Sequence, residues 1–194
     1  GLGAMGGSYA KHLLDRGYEV FGVDPDKKNR NLFSSSGGII LNNISSLSCK
    51  CKVIILSLPT VRIFKDVINE FERNKSNFET TLIIDMNTIS LEDKLEAKNK
   101  LKKLNIDLID APVSGTGAQA KSKDLVVMSS GSEEIIRDCE DIFNSFAKKH
   151  IYVGEFGNGI KFKILANLLV TVHNTVSAEA LLLGQRAGLD ENKI

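Results

Sequence analysis

Lys163 and Asn167 stand four residues apart in the stretch from Gly159 to Asn167. At about 100° per helical residue, Asn167 falls about 40° from Lys163, Asn174 about 20° and Thr171 about 80°. These polar groups share one stripe, while Ile164, Leu165, Leu168, Leu169 and Val172 cover much of the remaining surface. A helix apolar on most sides is expected to be buried. Its polar stripe should then face a partner or a wet cleft, since unpaired buried polar groups cost a few kcal/mol. An amine held there could take or give a proton, and an amide one turn on could hold a substrate. On residue type alone, a snorkelling or ion-paired lysine and an interhelical hydrogen-bonding asparagine fit equally well. Lys161 lies on the far side and reads as a first-turn lysine with its head in solvent.

A second group with chemistry opens the chain. Gly1, Leu2, Gly3, Ala4, Met5 and Gly6 spell G-x-G-x-x-G. Gly1 permits a tight turn, Gly3 lets backbone approach a pyrophosphate, and Gly6 allows close helix packing. The helix N-terminus that follows offers free N–H groups and a positive dipole. The next strand ends in Asp24, a carboxylate placed to accept from a ribose 2′-OH, which favours NAD. Lys27, Lys28 and Arg30 could instead meet the 2′-phosphate of NADP, although Asp24 would repel it at close range. The bland alternative is a glycine-rich turn beside a solvated Asp.

These residues need a frame. Apolar runs at Tyr18–Asp24, Cys51–Thr60, Thr81–Asn87, 106–112, Asp124–Gly131 and 150–154 read as strands. Between them lie helical patterns: the stretch after Gly3, 24–33, 61–74, 91–104 and 132–147. The segment 24–38 reads as a short helix ending in a Ser/Gly loop. In 91–104 the leucines at 91, 95, 101 and 104 mark the apolar positions, and Ser132 with its following acids reads as a cap. Buried strands alternating with helices predict an α/β, Rossmann-type, doubly wound and mostly parallel sheet. The alternation stops near Gly154, and one helix runs from after Gly157 to about Ala187. The expected division is a dinucleotide-binding domain over 1–155, lacking its first strand, and the start of an all-α C-terminal domain over 156–194. A fragment truncated at both ends, inactive and poorly stable alone, is the expectation.

Bulk properties exclude little beyond this. The 194 residues carry net charge +1, with 42% hydrophobic and 25% charged residues. Without a basic cluster, no nucleic acid is expected as a partner. The apolar run Ile164–Val172 reads as too short and interrupted to cross a bilayer. Cys49, Cys51 and Cys139 have no metal-ligand spacing and read as reduced thiols. No metal and no membrane are expected, there is no signal-peptide pattern, and the localisation is read as cytoplasmic.

Three separated motifs resemble the β-hydroxyacid dehydrogenase family, which includes 3-hydroxyisobutyrate dehydrogenase, tartronate semialdehyde reductase and, more distantly, 6-phosphogluconate dehydrogenase. They are Gly-Leu-Gly-Ala-Met-Gly at the start, Asp-Ala-Pro-Val-Ser-Gly-Thr from Asp110, and Gly-x-x-x-Lys-x-x-x-Asn from Gly159 to Asn167. Ser57–Thr60 and Asp85–Ile89 are similar to two loops bordering the nicotinamide half of the cofactor. The resemblance covers essentially the whole chain. It implies an NAD-dependent, or alternatively NADP-dependent, oxidoreductase acting on a small 3-hydroxy acid.

In that reading Lys163 is the general acid/base and Asn167 holds substrate. Ser114 and Gly115 bind the carboxylate, Thr116 lies beside them in the substrate site, and Leu58, Pro59 and Thr88 position the cofactor. A free Lys titrates near about 10.4, so burial must lower it for work at neutral pH. Thr116 departs from the family's second loop glycine and could narrow the pocket or meet an extra substrate hydroxyl, as in a sugar acid. Lys123 and Asp124 replace a usual turn pair, with little consequence expected. His173 reads as structural, and Glu179 as a packing residue. The family habit implies a homodimer or homotetramer. Imine reductases and a non-catalytic NAD(P)-binding module are the alternatives, and Lys163 argues against both.

Overall fold

The computed structural model describes residues 1–73 and 78–194. Helix α1 (Ala4–Asp15) starts at Gly3 and buries Gly6, Tyr9, Ala10 and Leu13, a stripe at spacings of three and four. It stops at Gly17, whose φ of 87° suits the left-handed turn only glycine takes freely. Strand β1 (Phe21–Gly22) pairs in parallel with β2 (Ile39–Ile40). Between them α2 (Lys27–Ser35) is capped by Asp26, which accepts from Lys28 N.

The expected strand Tyr18–Asp24 is thus laddered over only two residues. Its other edge faces β3 (Val53–Leu56) across a cleft of about 1060 Å³ that also touches the glycine turn. No strand lies between them among the described residues.

Three parallel strands form the centre: β3, β4 (Leu82–Asp85) and β5 (Asp107–Asp110), in register Val53↔Leu82↔Asp107. All four residues of β4 are buried, as a strand covered on both faces requires. Helices α4 (Val61–Arg73) and α5 (Leu91–Lys102) pack over one face, with Phe64, Ile68, Phe71 and Leu101 in the core. Asn74, the expected end of α4, lies outside the described residues.

A second three-stranded group holds β6 (Val113–Ser114), β7 (Val126–Ser129) and β8 (Lys149–Tyr152). Here β6–β7 is antiparallel and β7–β8 parallel, and a bridge Asp110↔Ser130 joins the two groups. The sheet is therefore mostly parallel, as expected, with one antiparallel turn.

Several local expectations need correction. The segment after Gly38 holds β2 and a short helix α3 (Ile44–Ser48), capped by Asn43, beyond the expected loop. The stretch 132–147 is two helices, α7 (Glu133–Asp138) and α8 (Glu140–Phe146), broken at Cys139, and Ser132 makes no side-chain cap bond. On α5 the buried stripe is Lys94, Ala97 and Leu101, whereas Leu95 is exposed.

The last helix, α9 (Asn158–Arg186), is a single rod of 29 residues. Only Gly159 and Ile160 on it are buried. The expectation that its apolar sides are covered is overturned: Ile164, Leu165, Leu168, Leu169 and Val172 are exposed, as are His173 and Glu179. Beyond its first turn, α9 projects from the sheet. By length and composition alone it is also apolar and long enough to cross a membrane, although the run Ile164–Val172 by itself reads as too short and interrupted.

Candidate functional site

The glycine turn is built by close packing. A Cβ on Gly1 would strike the Ser57 carbonyl oxygen, and one on Gly6 would strike the Gly1 carbonyl oxygen. Neither position admits a side chain without moving backbone. Gly3 differs: a Cβ there would meet nothing within 4 Å. The Gly3 backbone thus faces open space at the start of α1, whose first-turn N–H groups have no intrahelical acceptor. A pyrophosphate fits such a cradle.

Asp24 stands beside it. Its carboxylate accepts from Leu2 N at 2.6 Å, from Asp26 N at 2.8 Å and from Asn29 Nδ2 at 3.3 Å. Burial pushes this carboxyl up, but the donors outweigh it and hold it below the ordinary carboxylate range. Arg30 is turned to backbone, donating to the carbonyls of Asp24 (2.9 Å) and Pro25 (2.7 Å). Lys27 and Lys28 are exposed.

The loop after β3 lies against the same turn. Leu58 N donates to Asn87 Oδ1 at 2.6 Å, which locks the Ser57–Pro59 loop to the loop after β4. Leu58 is half-buried, while Pro59 and Thr88 are exposed.

The Asp-Ala-Pro-Val-Ser segment sits on the other side. Pairing of Val113 and Ser114 with β7 fixes its path, and Gly115 follows at φ 137°, a conformation side chains rarely adopt. Ser114 is half-buried and Gly115 and Thr116 are exposed. The Thr116 hydroxyl accepts from Gln119 N at 3.3 Å while Gln119 Oε1 accepts from Thr116 N at 2.9 Å. This capping box starts α6 (Gly117–Lys121) and gives the threonine a local structural task. Helix α6 packs on α1, where Gly117 comes near Ala4 and His12 Nε2 bonds the Ala120 carbonyl at 2.9 Å. Lys123 takes a positive φ of 60°, and Asp124 pairs with Lys148 at 2.8 Å.

The third motif joins the second through backbone. A Cβ on Gly159 would stand 2.6 Å from the Met128 carbonyl oxygen and 2.9 Å from the Asp110 carbonyl oxygen, so only glycine lets α9 start there. Lys163, one turn on, is half-buried and makes no ion pair among the described residues. Burial lowers its ammonium below the ordinary lysine range. Asn167 is exposed, one turn further along the same face. Lys161 is exposed, and its Nζ donates to Asn158 Oδ1 at 3.3 Å.

Residues 1–154 match the family described as the NAD binding domain of 6-phosphogluconate dehydrogenase. The chain belongs to that family. Its cofactor is accordingly NAD(P), and the glycine cradle with Asp24 at its edge fits that group. The chain is 32% identical to 2-(hydroxymethyl)glutarate dehydrogenase of Eubacterium barkeri, covering 97% of this chain and 63% of that one. It is 30% identical to L-threonate dehydrogenase of Cupriavidus necator, covering 100% of this chain and 66% of that one. The solved 3-hydroxyisobutyrate dehydrogenase of Mycobacterium tuberculosis, with L-serine, superposes with TM-score 0.90 at 27% identity, over 98% of this chain and 65% of that one. An imine reductase of Streptomyces aurantiacus, at 20% identity and TM-score 0.84 over 99% of this chain and 67% of that one, shares the fold alone. The chain thus spans under two thirds of the length of the first of these relatives.

Sequence reasoning missed Lys94 and Ser130, and placed Asp85 and Asn87 only within a loop bordering the nicotinamide; all four tie the motifs together below the surface. One signal was present for Lys94: it lies three and seven residues before Ala97 and Leu101, in phase with the buried stripe.

Proposed function

We propose that the protein is an NAD(P)-dependent oxidoreductase that interconverts a small 3-hydroxy acid and the corresponding carbonyl compound, with Lys163 as general acid/base. The observation that carries this reading is a half-buried lysine with no counter-ion among the described residues, lowered by desolvation, on a helix whose first turn is bonded to the Asp-Ala-Pro-Val-Ser segment. In the oxidative direction the neutral Lys163 amine takes the hydroxyl proton as the hydroxyl-bearing carbon gives up a hydride. Bound NAD(P) supplies the hydride acceptor. Asn167 holds the substrate by a hydrogen bond, Ser114 and Gly115 hold the carboxylate, and Thr116 lines the substrate site beside it. Gly1 to Gly6 cradle the pyrophosphate, with Leu58, Pro59 and Thr88 bordering the nicotinamide.

NAD is favoured over NADP, because Asp24 occupies the ribose edge and Arg30 is already committed to carbonyl oxygens. The relatives named for 2-(hydroxymethyl)glutarate and L-threonate support an acid substrate, and the Thr116 hydroxyl tilts the choice toward a polyhydroxylated one. A catalytically silent NAD(P) module is disfavoured, since it has no need of Lys163. The division into 1–155 and 156–194 belongs to the same reading. So does a homodimer or homotetramer, because an apolar rod such as α9 costs free energy while exposed to water. A reducing compartment such as the cytosol suits the three thiols.

The deciding experiment is a panel of 3-hydroxy acids with NAD and with NADP on the whole protein, read by nicotinamide absorbance. Turnover of no member would remove this reading.

A further inference from the structure

Lys94, Asp85 and Asp110 are all fully buried. Lys94 Nζ lies 2.6 Å from Asp85 Oδ2 and 3.0 Å from Asp110 Oδ1. Two carboxyl groups share one ammonium in the core, and burial pushes the Asp85 carboxyl up, so the arrangement is costly unless further donors meet it. The rest of the compensation comes from two directions. Asp110 Oδ2 accepts from Ile160 N at 2.9 Å and from Ser130 Oγ at 3.0 Å. The Ser130 hydroxyl oxygen in turn accepts from Gly157 N at 3.1 Å and Gly159 N at 2.9 Å. Those amides form the positive end of α9, whose dipole favours an anion there. Asp85 Oδ1 accepts from Asn87 N at 3.0 Å and Asn87 Nδ2 at 2.6 Å, and Asn87 Oδ1 accepts from Leu58 N.

A polar chain therefore runs from Leu58 through Asn87, Asp85, Lys94 and Asp110 to Ile160, in which the Lys94–Asp110 link is an ion pair without a hydrogen bond and the other links are hydrogen bonds. One end is the loop against the glycine turn, and the other is the turn that precedes Lys163. A well-packed apolar trio could stabilise the core equally well, so stability alone does not account for buried charges here. They do one thing an apolar trio cannot: they tie the two ends together by hydrogen bonds and one short ion pair.

We propose that Lys94 is a positioning residue, which sets where the first turn of α9, and hence Lys163, stands relative to the Ser57–Pro59 loop. The inference rests on the reading of Lys163 as the acid/base. Lys94 itself has no access to substrate or cofactor and acts only through the groups it bonds.

The test is a double-mutant cycle in the whole protein with NAD and the best acid of the panel. Lys94→Met should lower kcat by about 10²-fold, as expected for misplacing a reacting group by an ångström. NAD affinity, read by titration, should stay within about threefold, because the glycine cradle is untouched. In a Lys163→Met background, the added Lys94→Met should lower the residual rate by less than about twofold, since a residue acting through Lys163 has nothing left to position. Hydrogen exchange gives a readout free of activity: the Ile160 amide should lose protection by about tenfold in Lys94→Met while the amides of β4 keep theirs.

Losses that multiply in the double variant overturn the proposal, and so does an Ile160 amide that exchanges as in the parent. A normal kcat in Lys94→Met beside an inactive Lys163→Met sinks the positioning role alone. An active Lys163→Met sinks the reading of Lys163 first. If Lys94→Met does not fold, Asp85→Asn carries the same comparison, because it keeps the shape and breaks the Asp85–Lys94 ion pair, which severs the chain between the two ends.

Discussion

Ile160 gives its backbone N–H to Asp110 Oδ2 at 2.9 Å, across 50 residues of sequence. The helix that carries Lys163 thus begins on the carboxylate that opens Asp-Ala-Pro-Val-Ser. Two motifs that the sequence separates are one structural unit, and the expected chemistry depends on their staying so.

The first prediction concerns Lys163. In the whole protein, Lys163→Met should lower kcat by about 10²–10⁴-fold and leave NAD affinity nearly intact. In the parent, oxidation should speed up with rising pH as the ammonium loses its proton. The apparent pKa of that rise should lie below the ordinary lysine value of about 10.4, because burial disfavours the charged form. A pH–rate profile of kcat/KM that does not rise toward alkaline pH, or full activity in the variant, would remove Lys163 as the base.

Asp24→Ala should narrow the preference for NAD over NADP, measured as the ratio of the two kcat/KM values. The same carboxylate also accepts from Leu2 N, so both cofactors should bind more weakly. A parent that prefers NADP would count against Asp24 as the selector.

Thr116 carries a structural and a chemical expectation that can be separated. Thr116→Ala removes the cap of α6 and should cost about 0.5–2 kcal/mol, whereas Thr116→Gly should cost only a few tenths. Thermal or urea unfolding measures this. If the hydroxyl also meets substrate, kcat/KM should fall more for a polyhydroxylated acid than for 3-hydroxyisobutyrate. Equal falls would leave the cap as its whole task.

His150 should make stability sensitive to acid. Its Nε2 lies 2.6 Å from Ser129 Oγ and its ring stacks on Phe143 at 4.5 Å. Burial lowers the imidazole below its ordinary range. Unfolded, it titrates near about 6.5, so below that pH the unfolded chain takes up more protons and stability falls. Above that window His150 is neutral in both states and its contribution is flat. The melting temperature should drop more between about pH 7 and pH 5 in the parent than in His150→Asn. Parallel curves would clear His150 of this role.

The strands β3, β4, β5 and β7 were legible because burial on both faces demands continuous apolar runs, and Ile83 and Ile84 show it. The glycine turn was legible because only glycine survives the contacts at Gly1 and Gly6. Other features were hidden for physical reasons. Strand β2 is two residues long, too short for any period to show. Lys94 has the type of a surface residue and was passed over for Leu95, although its phase with Leu101 gave it away. The environment of α9 could not be read from its composition, because an apolar helix announces what it needs and not what is present to cover it.

At about 1.5 Å per residue, α9 reaches about 44 Å from its base. The polar grip of Asp110 and Ser130 falls on its first turn alone. A tilt of one degree at Gly159 therefore sweeps the far tip through about 0.8 Å on such a rod. The position of Arg186 is therefore set by the bonds that Asp110 and Ser130 make at the opposite end of the rod.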